Sequence, residues 1–319
     1  MSAGGSAMGQ NEKKILDFSK GRYKEMLVWQ RRLMWDEDAN QRYAEWIDLT
    51  AGMTVVDVGC GLGYLGYSFW KYFGKGGHYI GVDLRPGLLE EAEGMAKSWA
   101  SDGKADFIEG DVYNLPIEDN LADRVMCQTL MIHLEKPKLA LSQMIRILKP
   151  GGTIFCIEPD NHRAALVKSF SSLPEYDLEM SLLAYKINLI SHKGRIKLGR
   201  GDDGIAPRIP HLLNELGMDD IEVRLKEKVS YLEPPYKTEL QLERINNMKR
   251  HWLSDESFEA RIQEGKEEFL AGGGDINDFN KLIEIGKRQR KIQLQQMENN
   301  EFYMCPSYCV YLIKAQKPR

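Results

Sequence analysis

Three carboxylates and a set of glycines are the residues whose types and spacing point to chemistry. Val55-Val56-Asp57-Val58 is a β-branched run holding one acid, and Gly59, Gly61, Gly63 and Gly66 follow it at once, around Cys60. Asp83 closes a second apolar run, and Asp111 follows a third, behind Gly110. Glycines directly after a buried strand let a ligand approach the backbone closely, and the aromatic-rich run from Tyr64 to Phe73 reads as the helix that such a loop opens. A nucleotide is the ligand this arrangement suits. The run Gly61-Leu62-Gly63-Tyr64-Leu65-Gly66 has the glycine spacing of dinucleotide-binding loops, with Asp83 twenty residues after Gly63. Asp57 argues for a different nucleotide, because a carboxylate two residues ahead of Gly59 repels a pyrophosphate and attracts an ammonium or sulfonium.

The elements that must hold these acids alternate between strand and helix. His78 to Asp83 reads as a second strand, and Pro86 to Trp99 as a helix with proline at an early position. Ala105 to Val112 is a third strand with its exit, and Ala122 to Gln128 a fourth. Pro137 to Leu148 is a periodic helix, stopped by Lys149-Pro150-Gly151-Gly152 before a fifth strand from Thr153 to Ile157. A helix from Ile205 to Met218, a strand-like stretch from Ile221 to Tyr231 and a last apolar strand from Phe302 to Ala315 complete the pattern. Alternating strands and helices of this kind build a parallel sheet covered on both faces.

The loop pattern D-x-G-x-G-x-G at Asp57–Gly63, the Gly110-Asp111 pair and the L-K-P-G-G run at Leu148–Gly152 resemble those of the class I S-adenosylmethionine-dependent methyltransferases. Thr129-Leu130-Met131-Ile132-His133-Leu134 is similar to a segment of the ubiquinone/menaquinone-biosynthesis-like members, which act on small molecules. The resemblance implies a Rossmann-like α/β fold: a seven-stranded, mostly parallel sheet with helices on both faces, an antiparallel last strand and helical insertions forming a cap. It implies S-adenosyl-L-methionine as cofactor. Asp57, Gly59, Cys60, Gly61 and Gly63 would hold its amino-acid end, Asp83 with Leu84 the ribose, Gly110, Asp111 and Val112 the adenine, and Gln128 the region of the methyl group. Tyr23, in an N-terminal helical segment, would touch the cofactor from a lid. His133 would act as a base, orient a substrate proton or cap the following helix; Glu158 would meet a cationic substrate or stand as a solvated loop carboxylate.

Length and composition set the remaining bounds. A chain of 319 residues suits one domain with added parts. The expected layout is a tail at 1–10, a helical lid at 11–50, a cofactor core at 51–160, a helical insertion at 161–204, core again at 205–232, a second helical insertion at 233–300 and the last core strand at 301–319. With 43 basic against 47 acidic side chains, no global positive field draws nucleic acid or an anionic membrane. No apolar run reaches the roughly 20 residues that span a bilayer. Five cysteines, with no His/Cys pair answering Cys305 and Cys309, suggest reduced thiols in a cytoplasmic protein and no metal site. Glu233-Pro234-Pro235-Tyr236 looks like an amine-methylating box but falls far from the fourth strand, and the basic run Lys281 to Lys291 reads as a solvated helix face. The expected partner is a small-molecule substrate, with the protein a monomer or homodimer. The rival readings are an NAD(P)-dependent oxidoreductase and a catalytically silent cofactor-binding protein.

Overall fold

The computed structural model describes residues 35, 37–167, 169–307 and 309–319. Tyr23, and with it most of the expected lid, lies outside the described residues. The first described helix is α1 (Glu37–Trp46), and the glycine loop sits between β1 (Thr54–Val58) and α2 (Tyr64–Phe73). Then come β2 (His78–Asp83), α3 (Pro86–Ala96), β3 (Lys104–Glu109), β4 (Ala122–Gln128), α4 (Pro137–Ile147) and β5 (Leu148–Pro159). The main sheet is completed by β7 (Asp219–Leu225) and β9 (Val310–Gln316), in the order β3-β2-β1-β4-β5-β9-β7. The strands from β3 to β5 pair in parallel, and β9 runs antiparallel to both its neighbours. This is the seven-stranded, mostly parallel Rossmann-like sheet expected from the sequence.

Successive residues of a strand face opposite sides of the sheet, and this chain sorts its side chains accordingly. Val56, Val58, Val125, Cys127, Ile154 and Cys156 pack on one face under Leu141, Met144 and Ile147 of α4. Val55, Tyr79, Met126, Phe155 and Ile157 pack on the other under Tyr43 of α1, Ile47 just beyond it, and Phe69 and Phe73 of α2. Both faces are dry, so these strands run nearly uninterrupted in apolar residues. Asp57 shares its face with Val55 and therefore opens toward the aromatic side. Arg124, buried on β4, ties α1 to the sheet: its guanidinium donates to the carbonyls of Ile47 and Asp48, at 2.6 and 2.7 Å, just beyond the helix. A cation there complements the negative end of the helix dipole.

The segments outside the sheet are helical. They include α5 (Asn161–Leu166), α6 (Leu178–Lys197), α8 (Glu239–Asn247), α9 (Asp255–Ala271) and α10 (Ile276–Glu298), with α7 (Ile209–Glu215) packed on the sheet. Two small apolar clusters hold this roof together, one around Ile187, Phe269 and Phe279, the other around Leu232, Tyr236, Ile245 and Phe302. Tyr236 of the Pro-Pro-Tyr stretch is buried in the second, its hydroxyl donating to the Phe302 carbonyl at 2.8 Å, which makes it a packing residue.

Three boundaries differ from the sequence reading. The fifth strand starts at Leu148, not Thr153: Ala122 pairs with Leu148 and Arg124 with Thr153, so Lys149-Pro150-Gly151-Gly152 is accommodated as an irregularity within the strand. The stretch from Ile221 to Tyr231 is strand only as far as Leu225. Phe302 to Ala315 is not one strand: β8 (Met304–Cys305) pairs with β6 (Phe170–Ser171) in the roof before β9 begins at Val310. No helix among the described residues is long and apolar enough to cross a membrane.

Candidate functional site

The ends of β1 and β4 and the start of α2 converge on a small cavity lined by Asp57, Gly59, Cys60, Tyr64, Leu65 and Gln128. Gly59, Gly61 and Gly63 have φ of 72°, 54° and 73°, a left-handed backbone that costs most other residues energy. A side chain on Gly61 would meet nothing within 4 Å, whereas one on Gly59 would press on Leu130 at 2.8 Å. The loop is thus closed underneath by Leu130 and open above at Gly61. The amides of Gly59 and Cys60 both donate to the Val82 carbonyl, at 2.7 and 3.0 Å, which fixes the loop to β2. Thr129, the residue beyond Gln128, also sits at positive φ, 54°, an uncommon state for a β-branched residue and one that clusters at functional sites.

The acids take distinct positions. Asp57 is 1% exposed and accepts a hydrogen bond from the Tyr79 hydroxyl at 2.7 Å. Burial, then the charge of Asp57, pushes the Tyr79 hydroxyl's pKa well up, so it stays a donor. Burial likewise pushes the Cys60 thiol up, with Asp57 and Asp83 adding to the effect, so Cys60 is no thiolate nucleophile. Asp83 accepts from the Gly61 amide at 2.9 Å with one oxygen and from the Arg85 amide at 3.0 Å with the other. Its pKa is raised, chiefly by burial, against the lowering pull of those amides. Each of its oxygens has a second acceptor position for a ligand hydroxyl. Leu84, 49% exposed, stands beside it on the open side.

Gly110 donates its amide to the Asp83 carbonyl at 3.0 Å, and a side chain there would collide with Pro116 and Val82. Asp111 is exposed and accepts from the Tyr113 amide at 2.9 Å, shaping the turn that carries half-buried Val112. Gln128, 3% exposed, accepts from the Trp35 indole N–H at 3.3 Å. Asp57, Gly59, Cys60 and Gln128 therefore share one cavity, with Gly61 and Asp83 joined at its rim and Gly110 bonded to the backbone beneath. Tyr64, Tyr79 and Trp35 complete the setting and were not read as site residues. An aromatic in the otherwise aliphatic β2 was the available signal for Tyr79.

Two sequence expectations need correcting. Glu158 is neither a solvated loop carboxylate nor open to substrate. It is fully buried, and one oxygen accepts from the Leu130 and Met131 amides at 2.8 and 2.9 Å, anchoring the short turn after β4. The fold places it there because that turn's amides have no strand partner and a carboxylate satisfies two at once. His133, on the same turn, is no base near neutrality: burial, with Arg195 adding positive charge, pushes its pKa down to about 3. A larger open trough lined by Phe258, Arg290 and Leu294 shares no residue with the cavity.

Residues 49–197 match the protein family described as a methyltransferase domain. Over these residues the chain is similar to methyltransferase domains. The chain is 28% identical over 158 residues to the ubiquinone/menaquinone biosynthesis C-methyltransferase of Roseobacter denitrificans, covering 50% of this chain and 58% of that protein. It is 30% identical over 146 residues to the demethylmenaquinone methyltransferase of Staphylococcus aureus, covering 46% of this chain and 55% of that protein. The chain thus spans a little over half the length of these curated relatives. The fold also resembles phosphoethanolamine N-methyltransferase 2 of Haemonchus contortus, solved with S-adenosyl-L-methionine, at a TM-score of 0.50 and 17% identity, over 96% of this chain and 61% of that one.

Proposed function

We propose that the protein is an S-adenosylmethionine-dependent methyltransferase acting on a small, partly apolar acceptor. The observation that carries the reading is the buried Asp57 carboxylate in a cavity whose lining has acid, amide, thiol and aromatic groups and, among the described residues, no basic one. Such a cavity favours a cationic amino-acid end over a pyrophosphate. The Gly61 amide, which a phosphate would need, is instead donated to Asp83.

When bound, the cofactor supplies a methyl carbon on a sulfonium, already activated for in-line transfer to an acceptor. The chain's own part is to bind, orient and exclude water. Asp57 would face the ammonium and Asp83 would take ribose hydroxyls, and Gly61 leaves room for the ligand against the backbone. Asp111 and the Val112 amide would meet the adenine edge, with Gly110 allowing the tight turn that presents them. Gln128, held by Trp35, would set the floor beside the reacting carbon. Positioning of this sort contributes several kcal/mol, on the order of 7–11 in the best cases, without a covalent intermediate or a strong base. That His133 is a poor base accords with a reaction that needs none.

Residues 51–160, 205–232 and 301–319 form the cofactor core in this reading, and 161–204 and 233–300 roof the acceptor site. The relatives named for quinone-precursor methylation make an aromatic or isoprenoid acceptor a reasonable first class. The five free thiols suit a reducing compartment such as the cytoplasm. The test is a screen of small acceptors with isotopically labelled S-adenosylmethionine, read by mass spectrometry. Labelled methyl on an acceptor is the expected result. Tight binding of S-adenosylhomocysteine with no transfer to any acceptor class would point to a silent binding protein instead.

A further inference from the structure

A second cluster lies at the seam between sheet and roof. His162 is on α5, directly beyond β5, His192 is on α6, and Asp202 and Asp203 are on the segment that leads back to the sheet. The two imidazoles stack, with ring centroids 4.1 Å apart and planes at 24°. His192 Nδ1 lies 2.5 Å from an Asp203 oxygen, and its Nε2 lies 3.5 Å from Asp202. Donor atoms of His162, His192 and Asp203, one from each, all lie within 4.8 Å of one another.

The scaffold around them is fixed by backbone bonds. The amides of Asn161 and His162 both donate to the Asp203 carbonyl, at 2.9 and 3.3 Å. The Asp160 side chain caps α5 by accepting from the Arg163 amide at 2.8 Å. Asp202 accepts from the Gly204 amide at 2.9 Å and from Arg208 at 2.8 Å, so its oxygens have structural duties. His162 Nδ1, by contrast, is buried with no hydrogen-bond partner among the described residues. A buried polar atom left unsatisfied is rare and asks for an explanation such as an ion.

We propose that His162, His192 and Asp203 bind a divalent transition-metal ion of the zinc type, which clamps roof helix α6 to the edge of the sheet. Two imidazole nitrogens and a carboxylate are a donor set such ions take, with water completing the shell. Calcium and magnesium, which seek oxygen, fit it poorly. Ligands of a tetrahedral ion at 2.0–2.2 Å sit about 3.3–3.5 Å apart, so donors as far as 4.8 Å apart must close by at most about 1.5 Å and the His192–Asp203 pair, at 2.5 Å, must open by about 1 Å, both within reach of side-chain rotation. The clamp would reach the methyltransferase site through Gly201, which packs against the backbone of Ile132 and His133.

The experiment is a titration of chelator-treated, full-length protein with Zn²⁺ and with Co²⁺, followed by calorimetry, visible absorption and thermal unfolding. One ion per chain is expected, with a rise in Tm and the d–d bands of low-coordinate cobalt. His162→Ala and His192→Gln, each checked by circular dichroism without metal, are expected to weaken binding by more than about 100-fold, beyond what loss of an outer-shell partner costs. If one variant fails to fold, the other decides. No binding by the wild-type protein, or undiminished binding in a folded variant, would overturn the proposal. S-adenosylhomocysteine binding by the metal-free protein is measured alongside, so failure of the clamp is not confused with failure of the cofactor reading.

Discussion

Replacing Asp83 by alanine tests how the cofactor is held. Its two oxygens already accept the Gly61 and Arg85 amides, at 2.9 and 3.0 Å, so the substitution acts on ligand and loop together. Loss of charge-assisted bonds to ribose is expected to cost about 1.5–3 kcal/mol, which is roughly a ten- to 150-fold weaker affinity. Loss of the loop bonds is expected to lower stability by about 1–2 kcal/mol more, partly offset because the buried carboxylate is gone. Asp83→Asn separates the effects, since its amide oxygen still serves one loop N–H. The carboxyl's pKa in the fold lies above its ordinary 3.8, mainly through burial. Its contribution to stability is therefore full below the unfolded value and is lost as pH rises through the raised one. Stability of Asp83→Asn should accordingly fall less than wild type between acid and neutral pH. Calorimetric titration with S-adenosylhomocysteine at neutral pH, alongside urea unfolding, reads both quantities. Affinity within twofold of wild type in a folded Asp83→Ala protein would refute the reasoning.

Other outcomes follow from the same geometry. Gly59→Ala and Gly61→Ala should each lose about 1–2 kcal/mol of stability from positive φ, measured by urea midpoint. Only Gly61→Ala should also block the cofactor outright, because its added methyl enters the open side of the loop. Glu158→Ala should destabilise by about 3 kcal/mol, since two amides of the β4 turn lose a buried anionic partner; a change below about 1 kcal/mol in the unfolding free energy would contradict that role. His133, with a folded pKa of about 3, contributes stability that is present above its unfolded value of 6.5 and lost as pH falls toward 3. His133→Gln should flatten stability against pH across that window, and an imidazole titrating near 6.5 by NMR in the wild type would count against it.

The strands at Val55–Val58, His78–Asp83 and Ala122–Gln128 were legible because strands buried on both faces are short apolar runs, and each carries a polar residue, Asp57, Asp83 or Gln128, at or next to its end. The start of β5 was not, because Pro150-Gly151 reads locally as a break, and only pairing with β4 carries the strand through it. Glu158 misled for a related reason: an acid beside proline suggests a loop, yet the two amides beyond β4 draw it inward. Asp57 and the glycines could be read from spacing, since they are neighbours in the chain as well as in space, and Asp83 because it closes an apolar run at a set distance from them. Tyr79 and Trp35 could not, because their partners Asp57 and Gln128 come close only when the sheet and α1 assemble. His162, His192 and Asp203 lie on three separate elements with no short ligand spacing, which is why the sequence suggested no metal.

The central claim is that acids at successive strand tips grip a cationic sulfur nucleoside, and parallel titration of the wild-type protein with S-adenosylhomocysteine and NADH tests it most directly. The account predicts one-to-one binding of S-adenosylhomocysteine, weakened in Asp57→Asn, and no heat with NADH. Saturable binding of NADH with none of S-adenosylhomocysteine would contradict it.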